Sequence, residues 1–290
     1  MNVHQFITRT PALRSMLALP RAMRRAWIRH GNNKAYEVVG RMASIVTSDV
    51  RIRVEEFDGE FELGPRSHLL QRLLLDGVYE PALVELFLKH LNPALDVIDV
   101  GANVGFFTVL AAKKMTTGRI LAAEPTRAAF GRLTNNLKLN DVTSKVTTYN
   151  GLVSDEDDVS TINIIAGREE YSSMASIVHP SVADQLFSRE TIQTRKLDTL
   201  VTDTNLRPGI VKIDVEGAET RVLLGARNTL MTFRPIIISE LSRPLLKAHG
   251  SSPESVIEFL NQCDYDTFDA HDGIARAGQF EFSDLLAIPR

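Results

Sequence analysis

The 290-residue chain holds a single cysteine, Cys263, and a single tryptophan. One cysteine excludes a disulfide framework and any multi-cysteine zinc or iron–sulfur centre, and it suits a reducing compartment. Long apolar runs are also missing. The best stretch, Val100 to Ala112, is uncharged but falls short of the roughly 20 residues a membrane helix needs, and its early glycines suit a loop. No compact apolar signal core opens the chain, because Pro11, Arg14 and Pro20 interrupt it. The seven histidines show no metal-type spacing, and no nucleophile elbow, phosphate-binding loop or zinc motif occurs. These absences predict a soluble, cytoplasmic protein with no transmembrane segment and no metal site.

Acidic residues are absent from positions 1–36, which carry Arg9, Arg14, Arg21, Arg24, Arg25, Arg29 and Lys34. The other residues hold 36 acidic side chains against 26 basic ones, a net of −10 concealed within the overall −3. An acidic body makes a poor nucleic-acid binder, since neutralising phosphate needs basic surface. The basic arm has apolar residues at helical spacing (Leu13, Met16 and Leu17; Met23, Trp27 and Ile28), which predicts a helix packed on the domain. A peripheral contact with anionic lipid is the other reading of the same pattern.

What is present is the grammar of an α/β fold. Residues 45–63 alternate around Asp58-Gly59 as a hairpin does, and helices are expected over 66–76 and from Pro81 to about residue 91. From residue 95, short apolar strands alternate with amphipathic helices. Strands are expected at Asp96–Val100, Arg119–Ala123, Val146–Val153, Ile210–Ile213 and Pro235–Ser239, with two more at Tyr265–Ala270 and Leu285–Ile288. Helices are expected at Val104–Met115, Arg127–Leu139, 216–231 and 253–262. Strands this apolar imply a mostly parallel sheet covered on both faces. The stretch between the third and fourth strands, with its acidic cluster Asp155–Asp158 and Ser-rich residues 172–176, is of a kind that lies over the active site in α/β enzymes.

The strongest motif is Val97-Ile98-Asp99-Val100-Gly101-Ala102-Asn103-Val104-Gly105, a strand running through a glycine loop into a helix. Gly101 and Gly105 let backbone approach a ligand at a helix start. The spacing is not the Gly-x-Gly-x-x-Gly of dinucleotide binders, which counts against a nicotinamide-dependent oxidoreductase. Asp99 places a carboxylate beside the ligand, suited to a cationic group and repelling a pyrophosphate. Glu124, at the end of the second strand, is placed to accept hydrogen bonds from both ribose hydroxyls. Ribose plus a positive centre points to S-adenosylmethionine.

A second strand end carries Lys212-Ile213-Asp214-Val215-Glu216-Gly217-Ala218-Glu219. Asp214 is fixed by its strand where ligands collect in open α/β sheets. Glu216 and Glu219 fall in the first turn of the next helix, where interaction with the helix dipole is the simpler account. Glu240 ends the strand Ile236–Ser239 and could pair with Asp214 to deprotonate a hydroxyl or hold a divalent cation. His249, in the loop from Arg243 to Pro253, is the histidine best placed to act as a general base, although a surface role is the ordinary one for such a residue. The proposed catalytic set is thus Asp214, Glu240 and His249.

Taken in order, Val97–Gly105, Ala123-Glu124-Pro125, Leu133–Asn140, Val153-Ser154-Asp155, Lys196–Leu200 and Lys212–Glu219, preceded by Gly77-Val78-Tyr79-Glu80-Pro81, resemble the FkbM family of methyltransferases over about residues 70–242. The resemblance implies a class I methyltransferase fold, a Rossmann-like sheet of seven strands that uses S-adenosylmethionine. It places Asp99, Gly101, Asn103 and Gly105 on the cofactor loop and Glu124 on the ribose. Leu152 and Asp155 fall at the adenine, and Glu80, with Tyr79, over the methionine end. Family members mostly methylate oxygen. The expectation is therefore an O-methyltransferase acting on a hydroxyl of a carbohydrate or glycolipid-type acceptor. The alternative acceptors are a carboxylate, a polyketide or a peptide, for which Arg195 and Lys196 could supply a basic pocket. A protein that kept the sheet and lost transfer is a further alternative. Residues 1–65 are expected to form an arm and hairpin extension, and residues 66–290 the methyltransferase domain.

Overall fold

The computed structural model describes residues 49–65, 67–165, 187–270 and 282–290. The expected arm helix and the Ser-rich stretch lie outside them. The described residues fall in two compact units, one ending at Pro81 and one beginning at Ala82.

The first unit holds the hairpin β1 (Val50–Val54) and β2 (Gly59–Leu63) and helix α1 (His68–Asp76). Val50 faces Leu63 and Ile52 faces Phe61 in antiparallel register. The α1 helix begins where the Ser67 hydroxyl accepts the Leu70 amide at 3.1 Å, and it ends at Gly77, whose φ of 73° closes the last turn. Leu69, Leu70, Leu73 and Leu74 recur at helical spacing and are buried.

The second unit opens with α2 (Pro81–His90) and is built on a seven-stranded sheet. Its strands are β3 (Asp96–Val100), β4 (Ile120–Ala123), β5 (Val146–Tyr149), β9 (Pro208–Ile213), β10 (Ile236–Ser242), β11 (Tyr265–Asp269) and β12 (Phe282–Pro289). The order across the sheet is β11-β12-β10-β9-β3-β4-β5. The five central and outer strands from β10 to β5 pair in parallel, and β12 runs antiparallel to both neighbours. This is the class I methyltransferase topology, with the chain reversing direction in strand order on either side of β3. The connecting helices are α3 (Phe106–Lys114), α4 (Arg127–Leu139), α5 (Leu197–Thr204), α6 (Glu219–Leu224), α7 (Arg227–Phe233), α8 (Arg243–Ala248) and α9 (Pro253–Gln262).

All residues of β3 and β4 are buried, as expected of strands covered on both faces. Ile98, Leu121, Val211, Ile237 and Leu285 are completely buried, each contributing about 1.5–3 kcal/mol by leaving water. Asp96 joins three strands at the opposite edge: its Oδ1 accepts the Arg119 amide at 2.6 Å and its Oδ2 the Arg207 amide at 2.5 Å.

Two expectations are corrected. The third strand stops at Tyr149, and after Asn150-Gly151 the chain enters a separate three-stranded sheet, ordered β6 (Leu152–Ser154), β8 (Phe187–Lys196), β7 (Asp158–Ile165). The helix expected over 216–231 starts only at Glu219, because Glu216 and Gly217 adopt left-handed backbone (φ 52° and 100°), and it is two helices, α6 and α7, divided at Gly225-Ala226.

Candidate active site

The carboxyl ends of β3, β4, β9 and β10 lie side by side and bring together Asp99, Gly101–Gly105, Glu124, Asp214 and Glu240. Residues Gly101, Asn103 and Gly105 all adopt positive φ, at 78°, 49° and 88°. At Gly101 this freedom is compulsory: a Cβ there would stand 1.8 Å from the Asp214 carbonyl oxygen, with β9 packed directly against the loop. Four of the loop's amides are spent within the chain. Those of Gly101 and Ala102 donate to the Ala123 carbonyl, and that of Gly105 to Ala102. The Asn103 amide donates to Glu124 Oε2 at 2.9 Å.

Glu124 thereby locks the loop to the end of β4. Its other oxygen, Oε1, accepts from the Thr126 amide at 2.9 Å and the Thr126 hydroxyl at 2.7 Å. A carboxylate has about four acceptor positions, so these three bonds leave one on Oε2. Burial pushes the Glu124 carboxyl up to about 7, against the Thr126 and Asn103 hydrogen bonds that favour the ionised form.

Asp99 is also buried. Its Oδ2 accepts the Thr108 hydroxyl at 2.6 Å, while Oδ1 has no hydrogen-bond partner. Burial raises its carboxyl above the usual range, opposed first by the Lys212 ammonium. Lys212, which sequence reasoning passed over, stands 3.0 Å from Asp214 Oδ2 and 3.9 Å from Asp99 Oδ1. A lysine inside an apolar strand was the signal that could have found it.

Glu219 overturns the expectation of a helix-dipole residue at an exposed helix start. It is buried, its Oε1 accepts the Gly217 amide at 3.0 Å, and its Oε2 has no hydrogen-bond partner. Burial pushes its carboxyl up to about 7, with the Asp214 charge adding to the rise. His249 caps α8 and packs on the same loop, its Cδ2 2.8 Å from where a Gly217 Cβ would be. Burial and the Arg221 charge lower its imidazole below the ordinary value, so it is neutral near pH 7.

The remaining expected residues lie as follows. Glu240 is half-buried at the end of the parallel ladder with β9, and across β12 it faces Asp284. Leu152 is half-buried and pairs with Thr194 in the second sheet. Asp155 accepts the Ser154 hydroxyl at 2.9 Å and pairs with Arg221 at 3.6 Å. Glu80, with φ 41°, belongs to the unit that ends at Pro81, as does Tyr79, whose ring meets His68 edge-on at 6.5 Å. Arg195 is ion-paired with Asp203 at 2.6 Å, which weakens the case for a basic acceptor pocket there. Among the described residues no cluster of three or more His, Cys, Asp or Glu could hold a metal ion, and no helix is long and apolar enough to cross a membrane.

Residues 99–267, more than half of the chain and the whole of this edge, match the methyltransferase FkbM domain. The chain belongs to the FkbM methyltransferase family. With it, the chain belongs to the S-adenosylmethionine-dependent methyltransferases. It is 28% identical over 189 residues to the hexuronic acid methyltransferase AglP of Haloferax volcanii, covering 65% of this chain and 70% of that protein. It is 29% identical over 143 residues to Methyltransferase 1 of Beauveria bassiana, covering 44% of this chain and 57% of that one. The crystal structure of methyltransferase FkbM from Methylobacillus flagellatus aligns with 76% of this chain and 52% of its own, at 18% identity and a TM-score of 0.45.

Proposed function

We propose that this FkbM methyltransferase binds S-adenosylmethionine at the β3–β4 edge and transfers its methyl group to a hydroxyl of a carbohydrate-type acceptor. The observation that carries the cofactor reading is Glu124, buried at the end of β4 and hydrogen-bonded to the Asn103 amide of the glycine loop. Its one remaining acceptor position suits a ribose hydroxyl. Four of the loop amides are already engaged, and Asp99, Glu124, Asp214 and Glu219 bring carboxyl groups to the edge. Such a donor-poor, acid-rich edge fits a cationic nucleoside and disfavours a pyrophosphate. When bound, S-adenosylmethionine supplies an electrophilic methyl on a sulfonium. Glu80, Leu152 and Asp155 remain sequence-based proposals for its methionine and adenine ends.

The chain's own task is to hold the acceptor in line and take its proton as the new bond forms. Asp214 follows the end of β9, Glu240 lies in β10 just past its parallel ladder with β9, and neutral His249 stands beside the Gly217 loop, so this set can supply the base. Hexuronic acid, the acceptor class in AglP's name, offers hydroxyls and a carboxylate. The hydroxyl is the group that needs a base, which Asp214, Glu240 or His249 would supply.

Calorimetric titration with S-adenosylhomocysteine tests the cofactor site: Glu124→Ala should weaken binding about 10-fold or more, the cost of a charge-assisted hydrogen bond. Binding unchanged in that variant would refute the assignment. Transfer of tritiated methyl to hexoses and uronic acid glycosides tests the acceptor. Asp214→Asn or Glu240→Gln should lower kcat about 100-fold on a hydroxyl, the ordinary contribution of a general base. A carboxylate acceptor arrives already ionised, so unchanged kcat in both variants would favour that alternative.

A further inference from the structure

Lys212 is the one group of this edge to which the reading above gives no task. It occupies an interior position of β9, in the otherwise apolar run Ile210-Val211-Lys212-Ile213, and its side chain is only 5% exposed. A buried ammonium is costly unless its partners replace the lost hydration. Two carboxylates are among its partners here. Nζ stands 3.0 Å from Asp214 Oδ2 and 3.9 Å from Asp99 Oδ1, and lies over the Phe107 ring at 5.0 Å. Strand geometry explains the meeting. Lys212 is directly opposite Asp99 in the β3–β9 register, and Asp214 follows two residues later on the same face of the pleat.

A cation serving only to neutralise the buried Asp99 would sit closest to Asp99. This one makes its short contact to Asp214, whose side chain is 32% exposed at the site. Asp99, for its part, is already held through Oδ2 by the Thr108 hydroxyl. We propose that Lys212 is a positioning residue of the transfer site, fixing the Asp214 carboxylate through Oδ2 so that Oδ1 is the oxygen a ligand meets, and tying it to Asp99 at the root of the cofactor loop. This rests on Asp214 being the acceptor-side group of the reading above. A residue with that role changes turnover and leaves cofactor binding nearly alone, whereas a purely structural cation changes neither once the protein is folded.

The test is a double-mutant cycle on the full chain. It measures methyl transfer from tritiated S-adenosylmethionine to whichever uronic acid glycoside the unmodified protein methylates fastest. Lys212→Met should lower kcat about 10-fold or more while the KM for S-adenosylmethionine stays within about 3-fold. The double variant with Asp214→Asn should be no slower than Asp214→Asn alone, because a residue acting through Asp214 then has nothing to act on. A double variant about 10-fold slower than Asp214→Asn, or a folded Lys212→Met with kcat within about 2-fold of the parent, overturns the proposal. If Lys212→Met does not fold, Lys212→Gln, which is neutral and one bond shorter and so gives up the short contact to Asp214, carries the same cycle. Unmodified protein that methylates none of the acceptors refutes the functional reading instead. The cycle is then measured by urea unfolding, where coupling of about 10-fold or more in the folding constant supports the Lys212–Asp214 link and additivity within about 2-fold overturns it.

Discussion

Glu219 shows how a single residue can be decided by the conformation of its neighbours. A helix starting at Glu216 would have left Glu219 at an exposed first turn. The left-handed Glu216 and Gly217 delay the helix by three positions, and the carboxyl turns inward to the Gly217 amide. Its folded value of about 7 lies above the ordinary 4.5, so the native state holds the proton more tightly than the unfolded chain does. The stability this contributes is complete below about pH 4.5 and is lost as pH rises through about 7. Glu219→Gln should therefore leave stability nearly unchanged at pH 5 and raise it at pH 8.5 relative to the parent, by on the order of 3 kcal/mol. Urea unfolding at the two pH values checks this, and equal differences at both would contradict it. Lys212 was marked in the sequence as a lysine inside an apolar strand, but its partners were not. Its proximity to Asp214 is local, but its proximity to Asp99 depends on a register between strands more than a hundred positions apart.

The elements themselves were legible wherever a strong period met a clear stop. The α4 helix at Arg127–Leu139 and the α9 helix at Pro253–Gln262 have the expected bounds, the second opened by the Ser252 hydroxyl accepting the Ser255 amide. The third strand was misread because apolar residues continue through Leu152 and Val153. The break comes from Asn150, whose side-chain amide donates to the carbonyls of Glu124 and Pro125, and from Gly151, where a Cβ would stand 2.8 Å from the Gln193 carbonyl oxygen. Neither contact is local. The corner between α5, α6 and α7 depends on a similar long-range clasp. The Asp198 carboxylate accepts the amides of Asn228 and Thr229 and the Thr229 hydroxyl, doing for α7 what its own first residues do not. Asp198→Ala should cost about 1–2 kcal/mol in urea unfolding, the ordinary price of a lost helix cap. A smaller loss, under about 0.3 kcal/mol, would mean that water replaces the cap without penalty.

For the molecule as a whole, the fold class and the gathering of the glycine loop, Glu124 and Asp214 at one edge were readable because each sits at a strand end, and strand ends are marked in the sequence. The acceptor was not readable, because no residue pattern in the sequence marks what would contact it. Asp99, the glycine loop, Thr108, Glu124, Lys212, Asp214 and Glu219 all lie in the unit that begins at Ala82. We propose that the basic segment is dispensable for that edge. Removal of residues 1–30 should leave the affinity for S-adenosylhomocysteine within about 2-fold and the melting temperature within about 2 °C. Failure of the shortened chain to fold would instead make that segment part of the core.

The hairpin of β7 and β8 closes with Ile165 directly opposite Phe187. Whatever chain joins them leaves the frame and rejoins it at one point, so its length and composition are free of the geometry of the sheet. Closing a longer connection costs only slowly increasing entropy, about 0.6 kcal/mol per doubling. The pair works as a socket: a change of length between Ile165 and Phe187 need not disturb the register that sets Thr194 opposite Asp158 and Leu152.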